Sequence, residues 1–243
     1  MTMTLKLSLL SLAWFSCLFL AGAVACLPLY RWNWQRFFKS SIWTKIVWWW
    51  PIFLWLLAML WLGLPFVAIT VLLMAVFAVV ELRRQHRLLP VAYVYFGVTV
   101  ALFASLLLYW TDEGHAVWLL AVCFSSALSD VAAFFGGRYL GRHKLPKALN
   151  PNKAWEGVAG QIVGGALGWW ATVSLLNLGL PWWPGILIGF ASAIGDLANS
   201  YVKRRLGIAD WGTSIPGHGG VLDRFSSLSV ALTVGFCLMI ALG

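Results

Sequence analysis

The sequence predicts an all-α, polytopic membrane protein with about eight transmembrane helices. Of its 243 residues, 61% are hydrophobic and only 10% are charged, whereas about a quarter of a soluble domain is charged. A helix needs roughly 20 mostly apolar residues to cross a bilayer. The runs that meet this requirement are residues 5–29, 44–62, 64–81, 90–110, 116–137, 156–179, 184–202 and 221–242. We therefore expect residues 1–243 to form a single integral membrane domain.

The first three runs each allow more than one interpretation. The apolar stretch of the first run is longer than the usual signal-peptide core of about 7–15 residues, so we interpret it as a retained spanning helix. Small residues before Cys26 only faintly resemble a lipoprotein processing site. The second and third runs are separated only by residues 62–65, and they could form a helical hairpin or a re-entrant pair.

The basic residues predict the orientation of the segments. All of the 17 Lys and Arg residues except Lys6 lie in or beside the loops that follow the first, third, fifth and seventh runs. Cytoplasmic loops carry the excess of Lys and Arg, so these loops are expected in the cytoplasm and both termini outside it. The net charge of +9 then reflects topology and attraction to anionic lipid headgroups. Nucleic acid is not expected as a partner.

The acidic residues divide the chain into a scaffold half and a half that carries the chemistry. Residues 1–115 contain only Glu81, Asp112 and Glu113. Residues 116–243 hold the other acids, all at or near predicted cytoplasmic helix ends. These are Asp130, Glu156, Asp196, Asp210 and Asp223. An acid at membrane depth is costly unless it is paired or binds a metal, so the second half is predicted to contain the site.

One face of the sixth run carries Gly160, Gly164 and Gly168. Small residues at this spacing let a neighbouring helix approach closely. The face could serve internal packing or a homodimer.

The seventh run presents a carboxylate, a hydroxyl and an ammonium on one helical face, at Asp196, Ser200 and Lys203. A salt-bridged structural acid is the alternative interpretation, although an intramembrane acid is functional by default. Asp130 lies one turn after Ser126 near the end of the fifth run. Serines also pack helices, so a structural role for this pair stays open.

The loop over residues 136–157 combines glycines with five cations. Asn152 is expected to cap the sixth helix, and Glu156 lies in its first turn. The positive end of that helix would favour anions, which makes Asn152 and Lys153 candidate phosphate ligands. Basic loops also occur for topology alone.

The most polar segment of the chain is residues 200–226. Glycines around His218 permit backbone conformations closed to other residues. Mg²⁺ prefers one or two carboxylates together with substrate phosphates, and Asp196 and Asp223 would meet that preference from neighbouring helices. A lone His is more often structural, but His218 is flanked by glycines in an otherwise polar loop, which favours a role in orienting a phosphate or a ligand.

The residues of this segment resemble a known family. The pattern S-x-x-K-R, then Asp, then P-G-H-G-G-x-x-D-R, from Ser200 to Arg224, is similar to that of the membrane-bound phosphatidate cytidylyltransferases, or CDP-diglyceride synthases. Further similar blocks lie upstream, and several ordered blocks are more specific than one short motif. They include Asp130, Ala133, Gly137-Arg138, Gly141-Arg142, Pro151 to Lys153, Trp155 to Gly157 and Gly195 to Leu197. The resemblance covers about residues 120–230.

The resemblance implies transfer of a cytidylyl group from CTP to phosphatidate, giving CDP-diacylglycerol and pyrophosphate. It implies a multi-pass enzyme of a bacterial-type inner (plasma) membrane with cytoplasmic active-site loops and lipid chains beside the glycine-faced helices. The implied cofactor is Mg²⁺, as one or two ions, on Asp196, Asp223 and Asp210. The implied catalytic residues are Asp196, Asp223, His218, Lys203 and Arg224. The implied substrate-binding or phosphate-binding residues are Lys153, Asn152, Ser200, Arg204, Gly219, Gly220, Asp130 and Glu156.

The chain departs from the family pattern at several charged positions. Ala209 and Ser226 stand where the family usually has Lys and Asp, and Asn199 stands where it usually has Glu. Arg205 is a candidate substitute for the missing Lys. The departures leave open another acceptor, such as a prenyl phosphate, and a non-catalytic paralogue that binds lipid or nucleotide. A transporter is a weaker alternative, because inverted repeats and paired broken helices are not evident.

Overall fold

The computed structural model describes residues 3–84, 115–147, 149–215 and 219–242. The predicted fourth segment, residues 90–110, and the candidate residue His218 lie outside them. The described part of the chain is helical and contains no β-strand. Its helices are α1 Met3–Cys26, α2 Trp34–Phe38, α3 Ser41–Leu62, α4 Leu64–Arg83, α5 Ala116–Phe135, α6 Trp155–Leu176, α7 Pro184–Leu206 and α8 Val221–Leu242. A 3₁₀ turn, Leu27–Tyr30, follows α1, and a π-helical turn, Gly136–Leu140, follows α5.

These helices confirm the all-α polytopic membrane fold. Within the described residues, 6 helices are long and apolar enough to cross a membrane: α1 and α3 to α7. The apolar part of α8, Ser227–Leu242, is shorter. Every predicted segment inside the described ranges coincides with a helix, while the total number of crossings stays a prediction.

The second and third predicted segments form two separate helices that pack against each other. The chain breaks at Gly63, whose φ of 63° ends α3, and Pro65 opens α4. Proline is well tolerated in the first turn of a helix. The indole Nε1 of Trp55 donates to Thr70 Oγ1 at 2.9 Å and ties the two helices together. The two runs therefore form a pair of packed helices, while the choice between a spanning hairpin and a re-entrant pair stays a prediction.

The glycine face of α6 serves internal packing. A Cβ at Gly164 would lie 2.4 Å from Ala132 Cβ of α5, and one at Gly165 would lie 2.4 Å from Gly189 Cα of α7. Distances this short leave no room for a side chain, so α6 lies directly against both neighbours. Because α5 covers the Gly160, Gly164 and Gly168 face, that face cannot bind a second copy of the chain. Lipid chains beside this helix would contact its other faces, and their place stays a prediction.

The centre of the bundle is apolar and is built from α3 to α8. Trp118 and Trp169 contact each other in its interior, with ring centroids 5.5 Å apart and ring planes tilted by 58°. The Trp169 indole donates to the carbonyl of Pro181 at 2.7 Å, which satisfies its N–H inside the core. Because α5 and α7 run in one direction and α6 and α8 return, the last turns of one pair meet the first turns of the other. The polar side chains collect at that end.

Candidate functional site

Four polar side chains from α5, α6, α7 and the loop before α6 form the first carboxylate cluster. It comprises Asp130, Lys153, Gln161 and Asp196. The Lys153 ammonium donates to Asp196 Oδ2. The Gln161 amide nitrogen lies 3.4 Å from Asp196 Oδ2 and 3.4 Å from Asp130 Oδ1. One amide thus links two acids from different helices. The Lys153 and Asp196 side chains remain 31% and 29% exposed, so a ligand can reach them.

A hairpin-like loop carries Lys153 to this cluster. Leu145 donates its backbone N–H to the Lys153 carbonyl at 3.0 Å, and Trp155 donates to the His143 carbonyl at 2.9 Å. Glu156 closes the loop, because its carboxylate accepts the His143 N–H at 3.1 Å and lies 2.7 Å from His143 Nδ1. The structure therefore uses Glu156, an expected phosphate ligand, to hold the loop that positions Lys153.

The expected cap of α6 was wrong. The N-cap residue is Ala154, without a side-chain hydrogen bond, while Asn152 is exposed and donates its backbone N–H to Asn150 Oδ1 at 3.1 Å. The loop hydrogen bonds that reach Trp155 set the start of the helix in place of a side-chain cap. Asn152 is accessible from solvent and lies outside the first carboxylate cluster.

The second carboxylate cluster joins α7, α8 and the loop between them through Lys203, Asp210 and Asp223. The Lys203 ammonium lies 2.7 Å from Asp223 Oδ1 and 3.3 Å from Asp210 Oδ1. The other Asp223 oxygen accepts the backbone N–H groups of Trp211 and Gly220, each at 2.9 Å. The Asp223 side chain is 2% exposed, whereas that of Asp210 is 62% exposed. Asp223 is therefore the anchored member and Asp210 the accessible one.

Tight backbone turns bring this cluster together. Gly207 ends α7 with φ of 72°, and the Ile208 N–H bonds back to the Lys203 carbonyl at 3.0 Å, a glycine-terminated helix end. Gly219 has φ of 83°, and a Cβ there would lie 2.8 Å from Asp223 Oδ2. Gly219 thus lets the backbone approach the Asp223 carboxylate.

The two clusters are adjacent. Ser227, one turn after Asp223 on α8, donates its hydroxyl to Asp130 Oδ2 of the first cluster at a long 3.5 Å. Arg224 is exposed and lines the same cavity as Asp130 and Ser227. The structure therefore brings Asp130, Lys153, Asp196, Lys203, Asp223 and Arg224 to one end of the bundle.

The remaining predicted residues have other surroundings. Ser200 is buried in α7. Arg204 donates from Nη1 to the Ile208 carbonyl at 3.0 Å, so it binds the end of its own helix. Arg205, the suggested substitute at position 209, donates to the Tyr201 hydroxyl at 2.9 Å and lies over its ring.

Sequence reasoning missed four contributors to this end of the bundle. They are Glu81, Gln161, Trp211 and Ser227. Buried Trp211 donates its indole N–H to Asn199 Oδ1 at 2.8 Å, which gives a packing role to the position where the family pattern usually has Glu. Gln161 could have been found as an amide inside an apolar run. Glu81 could have been found as an acid near membrane depth, although it lies in the half expected to be scaffold.

An apolar cavity of about 430 Å³ opens beside the clusters. Among the described residues, its walls come from α1, α3, α4, α5 and α8 and are almost entirely apolar. At the end nearest the clusters it is lined by Asp130, Arg224 and Ser227. The cavity therefore joins an apolar volume to a cation and a carboxylate, a combination suited to an amphiphile with an anionic headgroup.

The donor set bears on the Mg²⁺ expectation. Within the described ranges, no group of three His, Cys, Asp or Glu side chains could hold a metal ion. Mg²⁺ usually binds one or two carboxylates together with substrate phosphates and water, and Asp196 and Asp223 can supply those carboxylates. The residues therefore fit a metal that binds together with a phosphate ligand.

Comparison with known proteins assigns the chain to a family. The model of the Cytidylyltransferase family matches residues 1–242. The chain belongs to this family.

Curated relatives of this cytidylyltransferase-family chain carry a more specific name. The phosphatidate cytidylyltransferase of Mycobacterium leprae is 37% identical over 143 residues, which are 57% of this chain and 45% of the relative. That of Brucella suis is 42% identical over 118 residues, 47% of this chain and 43% of the relative. The chain thus matches less than half the length of these relatives.

Proposed function

We propose that the protein transfers the cytidylyl group of CTP to the phosphate of phosphatidate, forming CDP-diacylglycerol and pyrophosphate. The observation that carries the proposal is the pairing of Lys153 with Asp196 and of Lys203 with Asp223 beside an apolar cavity, in a chain of the Cytidylyltransferase family. The names of the relatives support phosphatidate as the acceptor.

Charge neutralisation is the main requirement of this reaction. An oxygen of the lipid phosphate attacks the α-phosphorus of CTP, the bond from that phosphorus to the bridging oxygen breaks, and pyrophosphate leaves with the electron pair. Both reactants are anionic, so catalysis depends on positioning and on electrostatic stabilisation. Lys153, Lys203 and Arg224 would supply the cations. Each lysine is held by a carboxylate before substrate binds, which fixes its direction.

The apolar cavity supports a lipid acceptor. Its end at Arg224 would take the phosphate, and its walls, which include Phe53, Met74 and Leu228, would take part of the acyl chains. Burial of apolar surface contributes about 25 cal/mol per Å², so even partial entry of an acyl chain would favour binding. CTP would reach the clusters from the side opposite the apolar walls.

Asp196 and Asp223 would hold Mg²⁺ when nucleotide is bound, with exposed Asp210 beside them. The ion would neutralise phosphate charge and stabilise the leaving pyrophosphate. Asp223 also pairs with Lys203, so this carboxylate would hold the ion and direct the lysine towards the same phosphates. His218 lies outside the described residues, and its part in orienting a phosphate stays a prediction.

The experiment is incorporation of labelled CTP into lipid by the purified protein in detergent micelles, with and without Mg²⁺. Separate reactions contain phosphatidate, a prenyl phosphate or no acceptor lipid. We expect metal-dependent CDP-diacylglycerol only with phosphatidate, and no product from Asp223→Asn. Product formed only with the prenyl phosphate would show that this lipid, and not phosphatidate, is the acceptor. No product with either lipid would contradict the proposal.

A non-catalytic, nucleotide-binding or lipid-binding role is the second candidate. Two observations favour it: Arg205 bonds to Tyr201 rather than replacing the missing Lys, and Asn199 packs against Trp211. In that case CTP or phosphatidate would bind to the protein, as measured by equilibrium dialysis in micelles, without turnover.

A further inference from the structure

Glu81 is the most completely enclosed acid of the described residues that the proposed reaction does not use. It lies two residues before the end of α4 and has 0% relative exposure. Its Oε1 accepts the Ser214 hydroxyl at 2.6 Å and the Val221 N–H at 2.8 Å. Its Oε2 accepts the Leu222 N–H at 3.0 Å. One carboxylate of α4 thus binds both the loop after α7 and the first turn of α8.

These bonds connect Glu81 directly to the second carboxylate cluster. Val221 and Leu222 are the residues immediately before Asp223, and Gly220, whose N–H binds Asp223 Oδ2 at 2.9 Å, lies against Glu81. A Cβ at Gly220 would lie 2.5 Å from Glu81 Oε2, while a Cβ at Gly219 would lie 2.8 Å from Asp223 Oδ2. The backbone at these glycines is therefore clamped between two carboxylates.

The surroundings of Glu81 indicate that its carboxylate binds the first turn of α8 and does not pair with a basic side chain. Among the described residues, no Lys, Arg or His nitrogen lies within ion-pair distance of it. Its bonds come from a hydroxyl and from N–H groups at the start of α8, where an acid is favoured because these N–H groups have no partner inside the helix. Glu81 therefore holds the first turn of α8 without competing with Asp223 for Lys203.

We propose that Glu81 is a positioning residue for the cytidylyl transfer, acting through the loop and the first turn of α8 to hold Asp223 and, through it, Lys203. This rests on the proposed function. Glu81 touches neither substrate. It sets the direction of the groups that do, and a misplacement of about 1 Å at a reacting centre can cost roughly 10²-fold in rate.

The first test measures the loop itself, without reference to activity. Hydrogen exchange with mass spectrometry follows the backbone amides of Trp211, Gly220, Val221 and Leu222 in micelles. Glu81→Gln keeps the length of the side chain and removes its charge, Ser214→Ala removes one donor only, and Thr172→Val removes a buried hydroxyl of α6 that binds Trp14. We expect Glu81→Gln to raise exchange at these amides at least about ten-fold, since it disrupts bonds that satisfy buried donors.

Ser214→Ala is expected to raise exchange less, and Thr172→Val to leave these amides unchanged. Unchanged exchange in Glu81→Gln, or an equal rise in Thr172→Val, would overturn the proposal.

The second test measures catalysis by the same variants. We expect kcat of Glu81→Gln to fall at least about ten-fold while the KM for phosphatidate changes less than about two-fold, with Thr172→Val close to wild type. Raised exchange with an unchanged kcat would overturn the positioning role. An inactive wild-type protein would contradict the proposed function instead, and the exchange measurement would still decide whether Glu81 holds the loop.

Discussion

Asp223 and Asp210 share the Lys203 ammonium but differ in what surrounds them. Asp223 accepts two backbone N–H groups in addition to the lysine and is almost fully enclosed, whereas Asp210 is largely exposed. Removing one partner of a buried ion pair leaves an uncompensated charge, while an exposed pair contributes little. The two acids should therefore respond differently to the same substitution.

Asp223→Asn is expected to lower the free energy of unfolding by about 3–5 kcal/mol, because the buried lysine loses its close partner. Asp210→Asn should change it by less than about 1 kcal/mol. Thermal unfolding of both variants in the same detergent tests this. Equal shifts of the unfolding temperature would mean that Lys203 does not depend on Asp223.

A substitution at Ala209 tests whether the chain has lost a cation of the family pattern. The position is exposed beside Asp210, and Arg205 is occupied by Tyr201. A new charge-assisted contact to phosphate contributes about 1.5–3 kcal/mol, so Ala209→Lys is expected to raise kcat/KM for CTP roughly ten-fold or more. Ala209→Met, which adds length without charge, is the control. An equal effect of both variants, or no effect of the lysine, would show that a cation at position 209 does not assist the reaction.

At the scale of elements, the sequence was informative about helices and less so about the contacts of loops. Apolar length predicted every long helix inside the described residues, because a spanning segment has to be long and apolar, but it did not predict the five-residue α2. The small-residue spacing of Gly160, Gly164 and Gly168 predicted a close approach, which α5 makes. The Lys153–Asp196 pair and the bonds of Glu81 join residues far apart in the chain. No local pattern encodes such tertiary contacts, and for the same reason the start of α6 was misjudged at Asn152.

The packing of α6 on α5 is tested by adding single methyl groups. A Cβ at Gly164 would lie 2.6 Å from the Leu128 carbonyl oxygen, whereas a Cβ at Gly22 of α1 meets nothing within 4 Å. Gly164→Ala is expected to destabilise the protein by about 1–3 kcal/mol through overpacking. Gly22→Ala should be neutral or stabilising by up to about 1 kcal/mol, since alanine favours a helix over glycine. Equal thermal stability of the two variants in micelles would contradict the close packing of α6 on α5.

At the scale of the whole molecule, the predicted orientation in the membrane links the fold to the proposed substrates. The basic loops predict that the end carrying both clusters faces the cytoplasm, where CTP is available, while the apolar cavity lies among the spanning helices. This arrangement would let a water-soluble nucleotide and a membrane lipid meet at Arg224 and the two lysines.

The orientation is tested with single cysteines in a variant whose Cys17, Cys26, Cys123 and Cys237 are replaced. Lys147→Cys lies in the loop before α6 and Trp182→Cys in the loop before α7, and both positions are exposed. A membrane-impermeant maleimide added to intact cells is expected to label position 182 only, and position 147 only after permeabilisation. The reverse labelling would show that the topology is inverted. The two clusters would then face away from the cytoplasm and its CTP.

The most direct measurement of the central claim follows each phosphorus of CTP. Purified protein in phosphatidate micelles with Mg²⁺ receives CTP labelled either at the α-phosphorus or at the γ-phosphorus. Cytidylyl transfer predicts that the α label enters lipid and the γ label leaves as pyrophosphate. The γ label in lipid would indicate phosphoryl transfer, and no label in lipid from either position would show that the two clusters do not perform the reaction.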